Sequence, residues 1–306
     1  MTKKSIIIDT DPGIDDAVAL AIALFSDELD VRLITTVNGN VNLEKVTYNT
    51  LRLLQFFDKE VPVAKGAEKP LIAEPVDASN VHGETGMDGY IFEEPDNSLL
   101  LDEHAVNAMY KEIMNSNEKI TLVPIGPLTN IALLLKLYPE VKENINEIVL
   151  MGGSTGRGNV SVMAEFNIYA DPEAAKIVFL SGLPIVMAGL DVGLKALVYP
   201  EDSELLKDMN DTGNMIYHLF KKYRGGSFNK GLKMYDSCAI AYLLKPDLFE
   251  TVDTFVDIEL NGELTKGTTV VDLKGYLNQE SNAKVCLDIN GAEFKKWFME
   301  SIKKCK

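Results

Sequence analysis

Short β-rich runs alternate with helical stretches along most of this chain, and few folds accommodate that order. Strands are predicted at 5–8, 31–37, 61–64, 120–125, 148–151 and 185–188, with helices at 15–25, 43–57, 106–114, 127–137 and 172–179. The 43–57 stretch carries Val46, Leu51, Leu54 and Phe57 at helical spacing, whereas 15–25 is apolar all round, as a helix pressed onto a sheet would be. Such alternation builds a mostly parallel sheet covered on both faces. Ligands of these sheets bind at the C-terminal strand ends. The last third is less regular, with helices at 204–222 and 236–244 and strands at 254–260, 268–273 and 284–289. No repeat, low-complexity tract or clean linker divides the 306 residues. The expectation is one α/β domain over 1–306, a mostly parallel central sheet flanked by helices. The turn-rich 68–96 and glycine-rich 152–158 stretches are candidate site loops.

Charge narrows the partners. A net charge of -16 repels a phosphate backbone and argues against nucleic acid, whereas a small neutral substrate or a cation suits it. Hydrophobic residues make up 46%, enough for a sizeable core. The three cysteines, Cys238, Cys286 and Cys305, are odd in number and not at metal-site spacing, so they read as free thiols in a reducing compartment. Ile6 to Ile8 is too short for a signal-peptide core. There is no run of about 18 apolar residues that would span a membrane. A cytoplasmic protein without membrane contact is expected.

The densest chemistry lies where the first predicted strand ends. Asp9, Asp11, Asp15 and Asp16 fall within eight residues, with Pro12-Gly13 folding the chain back between them. Asp15 and Asp16 at a helix start are also ordinary capping residues. Asp9 and Asp11 have no such explanation. Four carboxylates in one small volume raise one another's pKa and resist burial unless a cation is present. An all-oxygen donor set without sulfur or histidine suits calcium and disfavours zinc.

The stretch Asp9-Thr-Asp-Pro-Gly-Ile-Asp-Asp-Ala17 resembles the N-terminal fingerprint of the inosine–uridine preferring nucleoside hydrolases. Further stretches fit that family in order and spacing from about residue 5 to 245. They are Thr35 to Asn40, the loop from His82 to Gly89, Pro124 to Asn130, Met151-Gly-Gly153, Ala164 to Ala174, and Tyr235-Asp236. Taken singly, each has a plainer reading: Gly152-Gly153 as a turn, Asn40 as a turn residue, His82 as a loop histidine. Asp171-Pro172-Glu173 reads as a helix start in any case.

The resemblance implies an N-glycosyl hydrolase that cuts ribonucleosides to base and ribose, with one Ca²⁺ at the bottom of a deep pocket. Its ligands would be Asp11, Asp16, the Ile125 carbonyl and Asp236, together with a water and the ribose 2′- and 3′-hydroxyls. Asp11 would be the general base, Asn40 would orient the water, and Asp9 would support the cluster. Asp15 would accept from a ribose hydroxyl. Asn159, Glu165 and Asn167 would bind the 3′- and 5′-hydroxyls, with Met151 and Phe166 beside them and Asp236 touching both metal and sugar. A homo-oligomer, tetramer or dimer, is also implied.

One position departs from the family. Tyr235 stands where a histidine precedes the late aspartate, leaving Tyr235 and His82 as the candidates to protonate the leaving base. A phenol, with an ordinary pKa of about 10, is a weaker donor than imidazolium. Tyr223, Arg224 and Phe228 flank Gly225-Gly226 in a stretch that reads equally as a lid or as a plain surface loop. Two alternatives stay open: a binding relative that has lost turnover, and a Mg²⁺-dependent dehalogenase-like phosphatase with an Asp9-x-Asp11 nucleophile motif.

Overall fold

The computed structural model describes residues 3–306. Its strands are β1 (Lys4–Thr10), β2 (Leu29–Thr36), β3 (Val63–Lys65), β4 (Ile120–Pro124), β5 (Ile145–Met151), β6 (Ile185–Ala188), β7 (Leu197–Val198), β8 (Gly226–Ser227), β9 (Gly231–Lys233), β10 (Phe249–Thr254), β11 (Val256–Ile258), β12 (Thr269–Val271) and β13 (Ala283–Ile289). Eight of them form one sheet in the order β10-β13-β6-β5-β4-β1-β2-β3. All its pairs are parallel except β10 with β13. The chain therefore lays β2 and β3 on one flank of β1 and returns to place β4 on the other. The crevice at the ends of β1 and β4 is the switch point where open parallel sheets bind ligands.

Strand side chains alternate between two cores. Ile6 and Ile8 pack with the helix Ile14–Leu24, whereas Ile7 packs with the helices Ala105–Asn115 and Thr129–Leu137 on the other face. Val149 and Met151 against Ile148 and Leu150 repeat the division in β5. Burial on both faces explains why these strands read as continuous apolar runs.

The regular first two-thirds match expectation closely, with the helices Leu43–Phe57 and Pro172–Phe179 and strand β6 at their predicted bounds. The last third needs correction. The single helix expected over 204–222 is two, Pro200–Lys207 and Asp211–Phe220. Asn210 separates them in extended conformation (φ −167°), its side chain accepting from Gly213 N to cap the second. The strand expected at 254–260 is divided between β10 and β11, which belong to different sheets. Among the described residues, no helix is long and apolar enough to cross a membrane.

Candidate active site

The first strand delivers its carboxylates to the switch point because β1 and β4 run in register there. Asp9 lies opposite Pro124, and the Ile125 N–H donates to the Asp9 carbonyl at 2.8 Å. Asp9 is fully buried: its Oδ1 accepts from Thr35 Oγ1 at 2.5 Å and Asn130 Nδ2 at 2.8 Å. Asn130 also donates to the Thr36 carbonyl and accepts from Ala67 N, tying β2, β3 and the helix Thr129–Leu137 to this carboxylate. Burial pushes Asp9 up to about 7.

Pro12-Gly13 then turns the chain into the helix Ile14–Leu24. Asp16 closes that turn, with Oδ2 accepting from Gly13 N at 2.9 Å and Oδ1 from Thr10 Oγ1 at 2.7 Å. Part of its role is thus the helix capping expected of it. The Asn40 side chain bridges Asp16 Oδ2 and the Asp11 carbonyl, and its backbone N–H donates to Asp11 Oδ2 at 2.7 Å. A β-carbon at Gly39 or Gly126 would run into the Asp11 carboxylate, so both positions need glycine for this close approach.

Asp236 arrives from far along the chain, at the start of the helix Tyr235–Leu244. One carboxylate oxygen each of Asp15, Asp16 and Asp236 lies within 4.8 Å of the others. These three, with Asp9 and Asp11, are no more than 5% exposed. Burial, followed by repulsion from its neighbours, drives Asp11, Asp15 and Asp236 well above the usual carboxylate range. Asp11 Oδ1 is buried and has no hydrogen-bond partner. Crowded carboxylates with an orphaned oxygen fit a bound hard divalent cation, which supplies both the missing charge and the missing partner.

A cavity of about 400 Å³ opens above this cluster. Asp15, Asn40, His82, Ile125, Met151, Asn159, Glu165, Phe166, Asn167, Tyr235 and Asp236 line it, and Asp11 and Asp16 lie just beneath, bonded to Asn40. The Glu165 carboxylate caps the short helix Phe166–Ala170 through Asn167 N and Ile168 N and also accepts from Gly153 N, while burial raises it to about 7. Asn167 Nδ2 donates to the Ile125 carbonyl at 2.8 Å and the Met151 carbonyl at 3.1 Å. Asp171 caps the helix Pro172–Phe179, as its sequence context suggests.

His82 is buried, and its Nδ1 accepts from Ile14 N at 3.0 Å. That bond puts the proton of a neutral ring on Nε2. Burial lowers the ring to about 3, so it is a neutral donor rather than an imidazolium. Asp15 Oδ1 lies 3.8 Å from Nδ1. Tyr235 packs against Gly193, where a β-carbon would strike its ring, and burial makes its hydroxyl less acidic than an ordinary phenol.

The stretch read as lid or loop is tied down. Gly226–Ser227 pairs with β9, and Arg224 Nη1 donates to the Lys222 carbonyl at 2.9 Å. The Phe228 side chain lies outside the described residues. Tyr223 belongs to the cavity wall, its hydroxyl donating to the Lys233 carbonyl at 3.2 Å. Lys233, Asn80 and Asp77 also line the cavity and went unnoticed in the sequence. Asp77 and Asn80 fall within the 68–96 stretch expected as a site loop, and Lys233 lies three residues before Asp236.

A sequence model described as inosine-uridine preferring nucleoside hydrolase matches residues 6–296. The chain is 52% identical over 295 residues to the non-specific ribonucleoside hydrolase RihC of Escherichia coli (strain SMS-3-5 / SECEC), covering 96% of this chain and 97% of that one. It is also 52% identical to the RihC of Escherichia fergusonii, covering 98% of each. Among solved structures, a purine-preferring ribonucleoside hydrolase from Gardnerella vaginalis superposes with a TM-score of 0.91 at 31% identity, covering 98% of each chain.

Proposed function

Because the chain belongs to the inosine–uridine preferring nucleoside hydrolase family and is therefore an N-glycosyl hydrolase, we propose that it hydrolyses ribonucleosides to base and ribose with the help of Ca²⁺ and of Asp11 as base. The observation that carries this reading is the orphaned, buried Asp11 Oδ1 beside a crowd of carboxylates at the sheet's switch point. The ion would be held by Asp11, Asp16, the Ile125 carbonyl and Asp236, with Asp15 adjoining. When bound, it offsets the carboxylate charge and makes nearby water more acidic.

The chain's own residues do the rest. With its charge offset, Asp11 is ionised at neutral pH and accepts the proton of the attacking water. The Asn40 amide fixes that water. Asp15 accepts from a ribose hydroxyl, and Asn159, Glu165 and Asn167 hold the 3′- and 5′-hydroxyls between the walls formed by Met151 and Phe166. The ring of oxygens stabilises positive charge on the ribose as the base leaves, before the water oxygen has fully bonded to C1′. Attack from the face opposite the base inverts that carbon. His82 offers Nε2–H to the departing base as a neutral donor. Tyr235 contributes its ring as a wall for the base.

Incubation with Ca²⁺, a nucleoside panel and p-nitrophenyl riboside, assayed for reducing sugar, tests this. Cleavage that stops with EDTA or in Asp11→Ala is the expected result. Binding of nucleoside without cleavage of any substrate would make the protein a non-catalytic relative. A dehalogenase-like phosphatase would need Asp9 as an accessible nucleophile. Asp9 is fully buried, and its Oδ1 is taken up by Thr35 Oγ1 and Asn130 Nδ2, which bind it into the sheet.

A further inference from the structure

When the glycosidic bond breaks, its electron pair leaves with the base nitrogen. Negative charge then grows at the base end of the cavity while positive charge grows on the ribose. The carboxylates stabilise only the second. Of the other polar groups on the wall, His82 has its Nδ1 occupied by Ile14 N, and Tyr235 presents an uncharged phenol ring. Among the described residues, two cationic side chains line the cavity, Arg224 and Lys233. Arg224 Nη1 is engaged by the carbonyls of Lys221, Lys222 and Tyr223, just beyond the helix Asp211–Phe220.

Lys233 differs in each respect. It is half-buried beside Arg157, another cation, and among the described residues it forms no salt bridge with a carboxylate. Its Nζ stands 5.9 Å from the centroid of the Tyr235 ring. Its backbone is fixed: N donates to the Gly225 carbonyl, O accepts from the Tyr223 hydroxyl, and β9 pairs with β7 at Leu197. A cation held without a counter-ion on a cavity wall is costly unless the compensating charge arrives with the ligand. The carboxylate floor fixes the ribose below, so the part of the substrate that reaches Lys233 is the base.

We propose that Lys233 is the residue that meets the negative charge of the departing base, and that it favours oxo bases, which leave as delocalised anions, over amino bases. This rests on the hydrolase reading above. In the step, C1′–N breaks and its electron pair passes to the base nitrogen, with the Lys233 ammonium against the base. The water oxygen bonds to C1′, its proton goes to Asp11, and the base anion takes up a proton from solvent. Adenine and cytosine depend more on ring protonation before they leave, and a fixed cation nearby repels that proton.

The test compares kcat/KM for uridine, inosine, cytidine, adenosine and p-nitrophenyl riboside in the Ca²⁺-loaded protein, Lys233→Met and Lys233→Arg. Lys233→Met should lose about tenfold or more on uridine and inosine, the scale of removing one electrostatic contact at a leaving group. It should lose less than about threefold on cytidine and adenosine. The riboside, whose phenolate is weakly basic, should fall less than uridine. Lys233→Arg should restore most of the uridine rate. An equal fall on all four nucleosides, or none, overturns the assignment while cleavage of the riboside keeps the hydrolase reading. Failure of the unsubstituted protein to cleave any of the five overturns both.

Discussion

The floor and the rim of the cavity are built by different means. The floor gathers at adjacent parallel strand ends, is no more than 5% exposed at its carboxylates, and Asp9, Asp11 and Asp16 are fixed by bonds to neighbouring elements or by glycine notches. The rim comes from 223–235, where a three-stranded sheet, β7-β9-β8, and the residues around it set the exposed Arg224 and the half-buried Lys233 beside the buried Tyr223 and Tyr235. Topology dictates the floor, so a change there breaks several elements at once. The rim is a set of side chains on a short scaffold, so a single exchange there should leave the ribose end undisturbed. Ribose chemistry should therefore be brittle in this protein and base handling adjustable.

The largest effect that would break this comparison lies at Asp11. Asp11→Asn keeps the shape and the bond from Asn40 N but removes the proposed base, so kcat should fall by about 10²–10⁴ with the fold retained by circular dichroism. A fall under tenfold would move the base elsewhere. Next is Asn130→Ala, which leaves the Asp9 carboxylate, the Thr36 carbonyl and Ala67 N each short of a buried partner. It should cost about 3 kcal/mol of unfolding free energy in urea, since each buried group left unsatisfied costs roughly 1–3 kcal/mol. A cost under 1 kcal/mol would show that the floor tolerates change after all.

The floor should also make stability depend on pH and metal together. Folded Asp9 and Glu165 sit at about 7, above the ordinary carboxylate values of 3.8 and 4.5, and Asp11, Asp15 and Asp236 are raised as well. Between about pH 4 and 7 the folded metal-free protein keeps protons that the unfolded chain has released, so its stability is present at low pH and lost as pH rises. His82 works the other way: its folded value near 3 lies below the unfolded 6.5, so its contribution is lost as pH falls below 6.5. Five carboxylates against one histidine make the metal-free Tm higher at pH 5.5 than at pH 8, and added Ca²⁺ should raise Tm more at pH 8. The reverse order by scanning calorimetry would show that the cluster is not under this strain.

The same contrast explains what the sequence could reveal. Apolar runs buried on both faces made β1 to β6 and their helices legible to within about three residues, and four aspartates at a strand end marked the floor. Asp236 joins them from more than two hundred residues away, and only the family pattern placed it there. Asn130 was visible as part of a motif but not as the bond linking β2, β3 and Asp9. The rim was nearly silent: Lys233 is an unremarkable lysine on a three-residue strand, and no periodicity marks which way it faces. Asn210 divides one apparent helix in two because its polar side chain caps from within a pattern that otherwise continues.

The smallest expected effect sharpens the comparison most, because the family resemblance made Tyr235, with His82, a candidate to protonate the leaving base. General-acid catalysis contributes most when the donor's pKa is near the working pH, and burial moves this hydroxyl in the wrong direction. Tyr235→Phe keeps the ring against Gly193 and removes only the hydroxyl, so kcat/KM should change by less than about fivefold, the value of one hydrogen bond near 1 kcal/mol. Set beside a loss of at least about 100-fold for Asp11→Asn, that result would separate an exchangeable rim from a fixed floor. A hundredfold loss in Tyr235→Phe, greatest on adenosine and cytidine, would instead make the phenol a proton donor. The rim would then carry as much of the chemistry as the floor.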